Sequence, residues 1–267
     1  MQIDIRKIIE SKNAKLAKRI PNFLIKKFEK ILELKKINYF LAHHSEDTAI
    51  DFARNTIDYV GANIIVKNEE NIPKEGRYII VSNHPLGGID GVALISAIGK
   101  YRKDLKFPVN DFLLYLQPMR DIFIPINKMG KSSVSSMKEF NEAFESDNLI
   151  LCFPAGLCSR KENGILRDLE WKKTIIRKAR ETKRDIIPVF FDGENSEKFY
   201  RIARWRKRLK IKFNIEMMFL PAEIFKQKGN TFTATFGNPI SYNTFDQSQN
   251  DAEWASWLKE QVYSLTN

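Results

Sequence analysis

Apolar residues follow two different spacings along the chain, and the change falls near residue 60. Residues 3–19 and 22–36 carry apolar side chains at intervals of three and four, with Pro21 between the two segments. This spacing predicts two amphipathic helices that break at the proline. A third helix is predicted between Ser45, whose hydroxyl can cap its amino end, and Gly61, which can end it. The first part of the chain is therefore expected to be helical.

Beyond this part, short apolar runs rich in β-branched and aromatic residues alternate with helical stretches. The runs predict strands at 63–66, 77–83, 123–126, 149–153, 186–191 and 231–237. Helices are predicted at 91–101, 135–144, 171–182 and 251–265. Such alternation indicates an α/β fold in which helices flank a central mixed β-sheet, and the apolar runs are typical of strands buried on both faces.

The amino-acid composition is that of an ordinary globular protein with one large core. The chain has 267 residues, 43% of them hydrophobic, and its glycines and prolines are scattered instead of forming a linker. We therefore predict a helical amphipathic extension over residues 1–60, followed by an α/β domain over residues 61–267. Two cysteines and three histidines are too few soft ligands for a structural zinc site, so no metal is expected.

An excess of positive charge favours polyanionic partners. The formal net charge is +11, from 44 basic and 33 acidic residues. Two segments combine cations with bulky apolar residues: residues 1–36, and residues 201–212, where Trp205 and Leu209 stand among seven cations. Both patterns are typical of helices that lie on an anionic membrane surface. The alternative is that both are ordinary solvated helix faces.

Other features narrow the choice of partner and location. The sequence contains no recognised nucleic-acid-binding motif, so nucleic acid is not an expected partner. It also lacks a run of about 18 apolar residues that could span a bilayer. The charged N-terminus lacks the apolar core of a signal peptide. We therefore predict a peripheral protein without a transmembrane span.

The segment YIIVSNHPLGGIDG places polar residues where an apolar strand ends. Asn83 and His84 follow the strand directly, two glycines turn the chain, and Asp90 opens a helix. Ligands of α/β proteins bind at such carboxyl ends of strands. A histidine and an acid at this separation can form an imidazole–carboxylate pair, in which the acid holds one ring nitrogen and the other accepts a proton.

The chain has no serine or cysteine in a nucleophile-elbow sequence. The proton that His84 accepts would then belong to the substrate, which predicts direct transfer onto an acceptor hydroxyl or amine. The alternative is that Asp90 only caps its helix while His84 is a polar loop residue.

The same segment resembles the signature of the glycerolipid acyltransferase superfamily, the 1-acylglycerol-3-phosphate acyltransferase-like enzymes. In that signature Asn-His is followed by four residues and then Asp. Three further segments resemble the family's second, third and fourth blocks, in that order: FIPIN at 123–127, FPAGLCSR at 153–160 and DIIPVFF at 185–191. The likeness extends from about residue 60 to residue 240. It implies an α/β enzyme that needs no cofactor and takes its fatty acyl group from an acyl-ACP or acyl-CoA thioester.

The sequence also departs from the family pattern. Five residues, not four, separate His84 from Asp90, and we expect the two adjacent glycines to absorb the extra one. In the third block Ala155 replaces the family glutamate and Cys158 replaces its arginine. The second block lacks its usual arginine. Because the family holds glycerol phosphate with these positions, their loss weakens the case for an acceptor that carries phosphate.

The form NHPLGGIDG and the helical extension resemble the bacterial hemolysin-like branch of the family. This branch includes lyso-ornithine-lipid and lyso-glycine-lipid O-acyltransferases, which esterify the 3-hydroxyl of an N-linked 3-hydroxy fatty acid. The resemblance implies a lyso-lipid acceptor with a carboxylate headgroup. Two alternatives stay open: an enzyme that acylates 1-acylglycerol-3-phosphate, and a non-catalytic membrane-binding or lytic protein that retains the fold.

The resemblance also implies roles for individual residues. His84 would act as general base and Asp90 would orient it. Backbone N–H groups near Gly156 could hold the oxyanion, and Asn83 would either donate to a substrate oxygen or close the strand-end turn. The remaining acceptor-binding candidates are Asn127, Lys128 and Arg160. The implied location is the cytoplasmic face of the inner membrane.

Overall fold

A central β-sheet with helices on both faces organises the chain, as the alternation of apolar runs predicts. The structure, a computed structural model, describes residues 3–12, 14–110, 113–127, 134–211 and 214–266. Within these ranges the strands are β1 (Asn63–Lys67), β2 (Tyr78–Ser82), β3 (Leu105–Asn110), β4 (Phe123–Asn127), β5 (Leu149–Cys152), β6 (Arg160–Glu162), β7 (Ile165–Arg167), β8 (Asp185–Asp192) and β9 (Thr231–Phe236). The helices are α1 (Ile5–Lys12), α2 (Ala14–Arg19), α3 (Asn22–Ile31), α4 (Leu34–His43), α5 (Ala49–Val60), α6 (Ile89–Ile98), α7 (Val134–Glu145), α8 (Thr174–Thr182), α9 (Glu197–Arg208), α10 (Leu220–Phe225) and α11 (Asp251–Tyr263).

The sheet is mixed, and its strand order is β1-β9-β8-β2-β5-β3-β4. Strands β8, β2, β5, β3 and β4 run parallel to one another, whereas β9 is antiparallel to β8 and parallel to β1. The short strands β6 and β7 form a separate hairpin. The carboxyl ends of β2, β5 and β8 therefore meet at one edge of the sheet, where parallel sheets carry their ligands.

The two faces of the sheet form two apolar cores. On β2, Ile80 joins a core built with α5 and α6, while Ile79 and Val81 join the core built with α7, α8 and α11. These three side chains are fully buried. Both faces of the central strands are covered, which explains why their sequences are almost continuously apolar.

The structure differs from the predicted elements at the amino end. Residues 22–36 do not form one helix, because Glu33 adopts a left-handed conformation, with φ of 56°, between α3 and α4. The next helix, α5, is capped by Thr48, whose side chain accepts the N–H of Asp51, and not by Ser45. It ends at Gly61, as predicted. Helix α5 shares its core with the sheet, and the domain boundary near residue 60 stays a prediction.

Three strands were not predicted from the sequence. Strand β3 has the sequence LKFPVN, in which Lys106 and Pro108 interrupt the apolar run, and β6 and β7 have three residues each. Within the described ranges, no helix has both the length and the apolar character that crossing a membrane requires.

Candidate active site

His84 and Asp90 form the centre of the candidate site. His84 lies just beyond β2, and Asp90 is the second residue of α6. Nδ1 of His84 is 2.9 Å from Oδ2 of Asp90, with the carboxylate fully buried and the imidazole side chain 15% exposed. The structure thus brings together the two side chains that the sequence predicts to pair. Because the carboxylate holds Nδ1, Nε2 is the ring nitrogen left to accept a proton.

The Asp90 carboxylate also organises the loop that carries His84. It accepts four backbone N–H groups at 2.9 to 3.2 Å, from Leu86, Gly87, Gly88 and Gly91. Burial alone would raise the pKa of Asp90, but the charge and hydrogen bond of His84, with the backbone donors of Leu86 and Gly91, outweigh it and lower the pKa below its usual value. The carboxylate is therefore kept ionised and fixed.

Gly87 is one of the five residues between His84 and Asp90. This glycine has a φ of 73°, in the left-handed region that residues with a Cβ seldom adopt. A Cβ at this position would lie 2.8 Å from Cδ1 of Leu220 and 2.9 Å from Cβ of Cys158. The thiol of Cys158 is itself fully buried, which raises its pKa to about 11. Cys158 therefore acts here as a neutral packing group.

Opposing effects set the pKa of His84. Burial of the imidazole disfavours the charged form, whereas the Asp90 carboxylate favours it through charge and a hydrogen bond, and Asp168 adds a smaller effect of the same sign. The net result is a pKa above the ordinary value of 6.5. A base with a raised pKa binds its proton more firmly, which suits removal of a proton from a weakly acidic hydroxyl.

Phe153, the first residue of the third block, covers one face of the imidazole. The two rings are nearly parallel, with centroids 4.1 Å apart and an interplanar angle of 20°. Phe107 packs against Phe153 edge-on, at 5.6 Å between centroids. The orientation of the His84 ring is therefore fixed by Asp90 at one nitrogen and by an aromatic ring on one face.

Asn83 is committed to the sheet. Its Nδ2 donates to the backbone oxygen of Phe191 at 2.9 Å, and its Oδ1 accepts the N–H of Phe191 at 2.7 Å. The side chain is buried. These bonds join the end of β2 to β8, and both roles considered for Asn83, a contact with substrate and the closing of the strand-end turn, stay predictions.

The loop around Gly156 is already hydrogen-bonded. The N–H of Gly156 donates to the backbone oxygen of Phe153 at 3.0 Å, so an oxyanion would have to compete for it. Gly156 has a φ of 67°, and a Cβ there would lie 2.9 Å from Nζ of Lys172. The missing side chain therefore leaves room for a cation above this loop.

Arg160 is held by a buried acid. Its Nη2 donates to Oε1 of Glu216 at 3.0 Å, and Glu216 is fully buried. Nε of Arg206 lies 2.9 Å from the other oxygen of Glu216, an ion-pair distance without hydrogen-bond alignment. Arg160 is therefore not a free cation. Of the other acceptor-binding candidates, Asn127 is the last residue of β4, and Lys128 lies outside the described residues.

Asp168 was not identified from the sequence, where it lies 84 residues from His84. Its Oδ1 accepts the backbone N–H of His84 at 3.1 Å and the hydroxyl of Ser159 at 2.5 Å. No local spacing signals this contact, because Ser159 and Asp168, which flank the β6–β7 hairpin, approach His84 only in the folded chain.

A cavity of about 320 Å³ lies at the carboxyl ends of β2 and β8, and its described lining includes neither His84 nor Asp90. Its walls include Asn83, Pro85, Ser159, Leu166, Phe190 and Tyr263. A larger open depression, of about 560 Å³, lies at the opposite edge of the sheet between residues that precede β2, β3 and β5. Its distance from His84 separates it from the proposed chemistry.

Comparison with known proteins identifies the family of the chain. A sequence model of a family described as Acyltransferase matches residues 7–267. The chain is 46% identical to a lyso-glycine lipid O-acyltransferase of Bacteroides thetaiotaomicron, over 98% of this chain and 97% of that protein. It is 43% identical to a lyso-glycine lipid O-acyltransferase of Phocaeicola vulgatus, over 98% and 95% of the two chains.

A solved structure supports the fold. The crystal structure of the 1-acyl-sn-glycerophosphate acyltransferase PlsC from Thermotoga maritima aligns with a TM-score of 0.53 at 17% identity, over 81% of this chain and 78% of that one. At this identity the likeness concerns the fold alone. The family match over residues 7–267, with the two relatives at 46% and 43% identity, shows that the chain belongs to the acyltransferase family.

Proposed function

We propose that the protein transfers a fatty acyl group from an acyl thioester to the hydroxyl of a lyso-glycine lipid, with His84 as the general base. The observation that carries this proposal is the His84–Asp90 pair, in which a buried, ionised carboxylate holds Nδ1 and leaves Nε2 to take the proton. The names of the two curated relatives indicate the acceptor.

The reaction needs no covalent enzyme intermediate. Nε2 of His84 takes the hydroxyl proton while the acceptor oxygen forms a bond to the thioester carbonyl carbon. The carbon–sulfur bond then breaks, and the imidazolium returns the proton to the departing thiolate, so that an ester and a free thiol result. General-base assistance of this kind contributes about 10²- to 10⁴-fold to the rate.

The charges near the third block favour a carboxylate headgroup. Arg160 is already paired with the buried Glu216, and Ala155 and Cys158 carry no charge at the positions where the family pattern has glutamate and arginine. Lys172 supplies a single ammonium group above Gly156. One ammonium matches a singly charged carboxylate, whereas phosphate is bound best by the two-pronged guanidinium of a free arginine.

A competition assay tests the acceptor and the base together. Purified protein receives a labelled acyl thioester with equal amounts of a lyso-glycine lipid and lysophosphatidate, and mass spectrometry identifies the product. We expect acylation of the lyso-glycine lipid, and a loss of about 10²- to 10⁴-fold in His84→Ala. His43→Ala is the matched control, because His43 ends α4 and is exposed.

Three outcomes would contradict the proposal. A preference for lysophosphatidate would reverse the acceptor assignment. Full activity of His84→Ala would show that His84 is not the general base. Membrane lysis that is unaffected by His84→Ala, without any acylated product, would indicate the non-catalytic alternative.

We also propose that the protein works as a peripheral protein on an anionic membrane, at the cytoplasmic face of the inner membrane, where acyl-ACP or acyl-CoA supplies the acyl group. Exposed residues of α9 and the residue that follows it form what we call the α9 surface: Arg201, Arg204, Trp205, Arg208 and Leu209. On α3, Phe23 and Leu24 are likewise exposed. Cations beside exposed Trp and Leu side chains suit the boundary between lipid headgroups and acyl chains.

A further inference from the structure

Asp168 is a buried residue whose carboxylate accepts a hydrogen bond from the backbone N–H of His84, the proposed general base. It lies between the third and fourth blocks, and its side chain accepts three hydrogen bonds. Oδ1 receives the N–H of His84 at 3.1 Å and the hydroxyl of Ser159 at 2.5 Å, while Oδ2 receives the indole N–H of Trp171 at 2.8 Å. A buried carboxylate with three donors is held in one orientation.

The backbone of Asp168 is anchored to α11. Its N–H donates to the hydroxyl of Tyr263 at 2.8 Å, and its carbonyl oxygen accepts from Nζ of Lys259 at 2.6 Å. In the part of the chain that the structure describes, no cation pairs with its side-chain oxygens, so Lys259 offsets the charge only from the carbonyl side. Asp168 therefore connects helix α11 to His84, the proposed base.

Both backbone groups of His84 belong to this arrangement. Its N–H is bound by Asp168, and its carbonyl oxygen accepts the N–H of Ser159 at 2.8 Å. Ser159 in turn donates its hydroxyl to Asp168, so the three residues form a closed set of hydrogen bonds. The imidazole ring is fixed separately, by Asp90 and Phe153.

We propose that Asp168 is a positioning residue for acyl transfer, which fixes the backbone of His84 and supplies a second buried negative charge that stabilises the imidazolium. This inference rests on the proposed role of His84 as general base. Mispositioning a catalytic group by about 1 Å can reduce a rate about 100-fold. Loss of the hydrogen bond that holds the His84 backbone should therefore lower the rate of acyl transfer.

The charged surroundings of His84 give this proposal an electrostatic signature. Asp90 on α6 and Asp168 after β7 both raise the pKa of His84 against the effect of burial. The neighbouring Cys158 thiol, with a pKa raised to about 11 by burial, stays neutral in the same range. Lys259 faces Asp168 from α11, as does Tyr263, whose pKa burial raises. Loss of the Asp168 charge should therefore lower the pKa of His84.

Titration of the histidines by NMR in the full-length protein tests the charge without any substrate. The chain has three histidines, so comparison with His84→Ala assigns the His84 signal. Asp168→Asn removes the charge but keeps an oxygen for the His84 N–H, and we expect a lower titration midpoint. Trp171→Phe is the matched control: it removes a hydrogen bond from Asp168, keeps the charge, and should not lower the midpoint.

Kinetics test the positioning role. In Asp168→Asn we expect kcat to fall by about 10- to 100-fold, with KM for the lyso-glycine lipid unchanged. If Asp168→Asn does not fold, Asp168→Glu serves instead: it keeps the charge, so the midpoint should stay near that of the wild type, while its longer side chain should displace the His84 backbone and lower kcat.

The proposal fails if the folded Asp168→Asn protein has the wild-type His84 midpoint and a kcat that falls only with the folded fraction. It fails equally if Asp168→Glu is folded and matches the wild type in both measurements. Failure of the proposed function looks different: the wild-type protein would yield no acylated lipid, while the NMR titration would still show whether Asp168 acts on His84.

Discussion

At the scale of single residues, the proposed role of His84 as general base predicts that its ionisation governs the dependence of activity on pH. His84 must be neutral to accept a proton, and its pKa lies above 6.5. We therefore expect the rate of acyl transfer to rise with pH through this raised pKa and to be low at mildly acidic pH. A profile of kcat/KM against pH, measured with one acceptor and one thioester, checks this; a flat acidic limb would contradict it.

His84 and Asp90, which pair in the folded protein, predict opposite trends of stability with pH. For His84, whose folded pKa is raised, the stabilisation is fully present below the unfolded pKa and is lost as pH rises through the folded value. For Asp90, whose folded pKa is lowered, it is present above the unfolded pKa and is lost as pH falls through the folded value. Between these limits His84 is charged and paired, so the pH of greatest stability should lie below the pH of greatest activity.

Individual residues also show which contacts a sequence can reveal. The His84–Asp90 pair was predictable because the two residues are six positions apart, at a strand end and a helix start. The pairing of Arg160 with Glu216 was not, because 56 residues separate them and burial decides the pairing. A sequence shows the type of each side chain but not which distant residue it will pair with.

At the scale of elements, the loop between β2 and α6 depends on the missing side chain of Gly87. In Gly87→Ala, the left-handed conformation should cost about 1–2 kcal/mol, and contact with Leu220 and Cys158 should add about 1–3 kcal/mol. Because this loop carries His84, kcat should fall as well. Urea denaturation and the acylation assay measure the two effects.

Gly229→Ala is the matched control for this prediction. Gly229 also has a left-handed φ, of 80°, but a Cβ there would have no atom within 4 Å. It should therefore show the conformational cost alone, with kcat unchanged. Equal losses of stability in the two variants would mean that the contacts of Gly87 with Leu220 and Cys158 have no effect.

The elements themselves were predictable where their apolar pattern was long and regular. Strands β2, β5 and β8 were located because burial on both faces requires continuous apolar residues. Strand β3 was missed because Lys106 and Pro108 interrupt its pattern. The break at Glu33 carries no glycine or proline signal, so only the packing of α3 and α4 reveals it.

At the scale of the whole molecule, the excess of 11 positive charges predicts binding to anionic vesicles through the α9 surface. Each cation near such a membrane contributes about 1 kcal/mol, so Arg204→Glu with Arg208→Glu should weaken binding to phosphatidylglycerol vesicles at least about tenfold. Cosedimentation at two salt concentrations measures this. Arg206 is not substituted in this variant, because it pairs with the buried Glu216.

A second charge reversal of equal size separates the surface from net charge. Lys74 and Lys103 are exposed at the opposite edge of the sheet, and Lys74→Glu with Lys103→Glu should leave most vesicle binding intact. Equal weakening in both double variants would show that only total charge matters. Normal vesicle binding with loss of the acyl-ACP reaction alone would identify the α9 surface as a docking site for the acyl carrier.

The amide of Asn83 has a consequence for how the whole molecule meets its substrates. By exchanging two hydrogen bonds with Phe191, this side chain imitates a peptide unit and continues the ladder between β2 and β8 after the backbone has begun to turn away. The sheet is thereby sealed up to the residue before His84. On the proposed mechanism, the general base would already be held in place by the sheet before the acceptor lipid binds, so that little ordering entropy would be lost on binding.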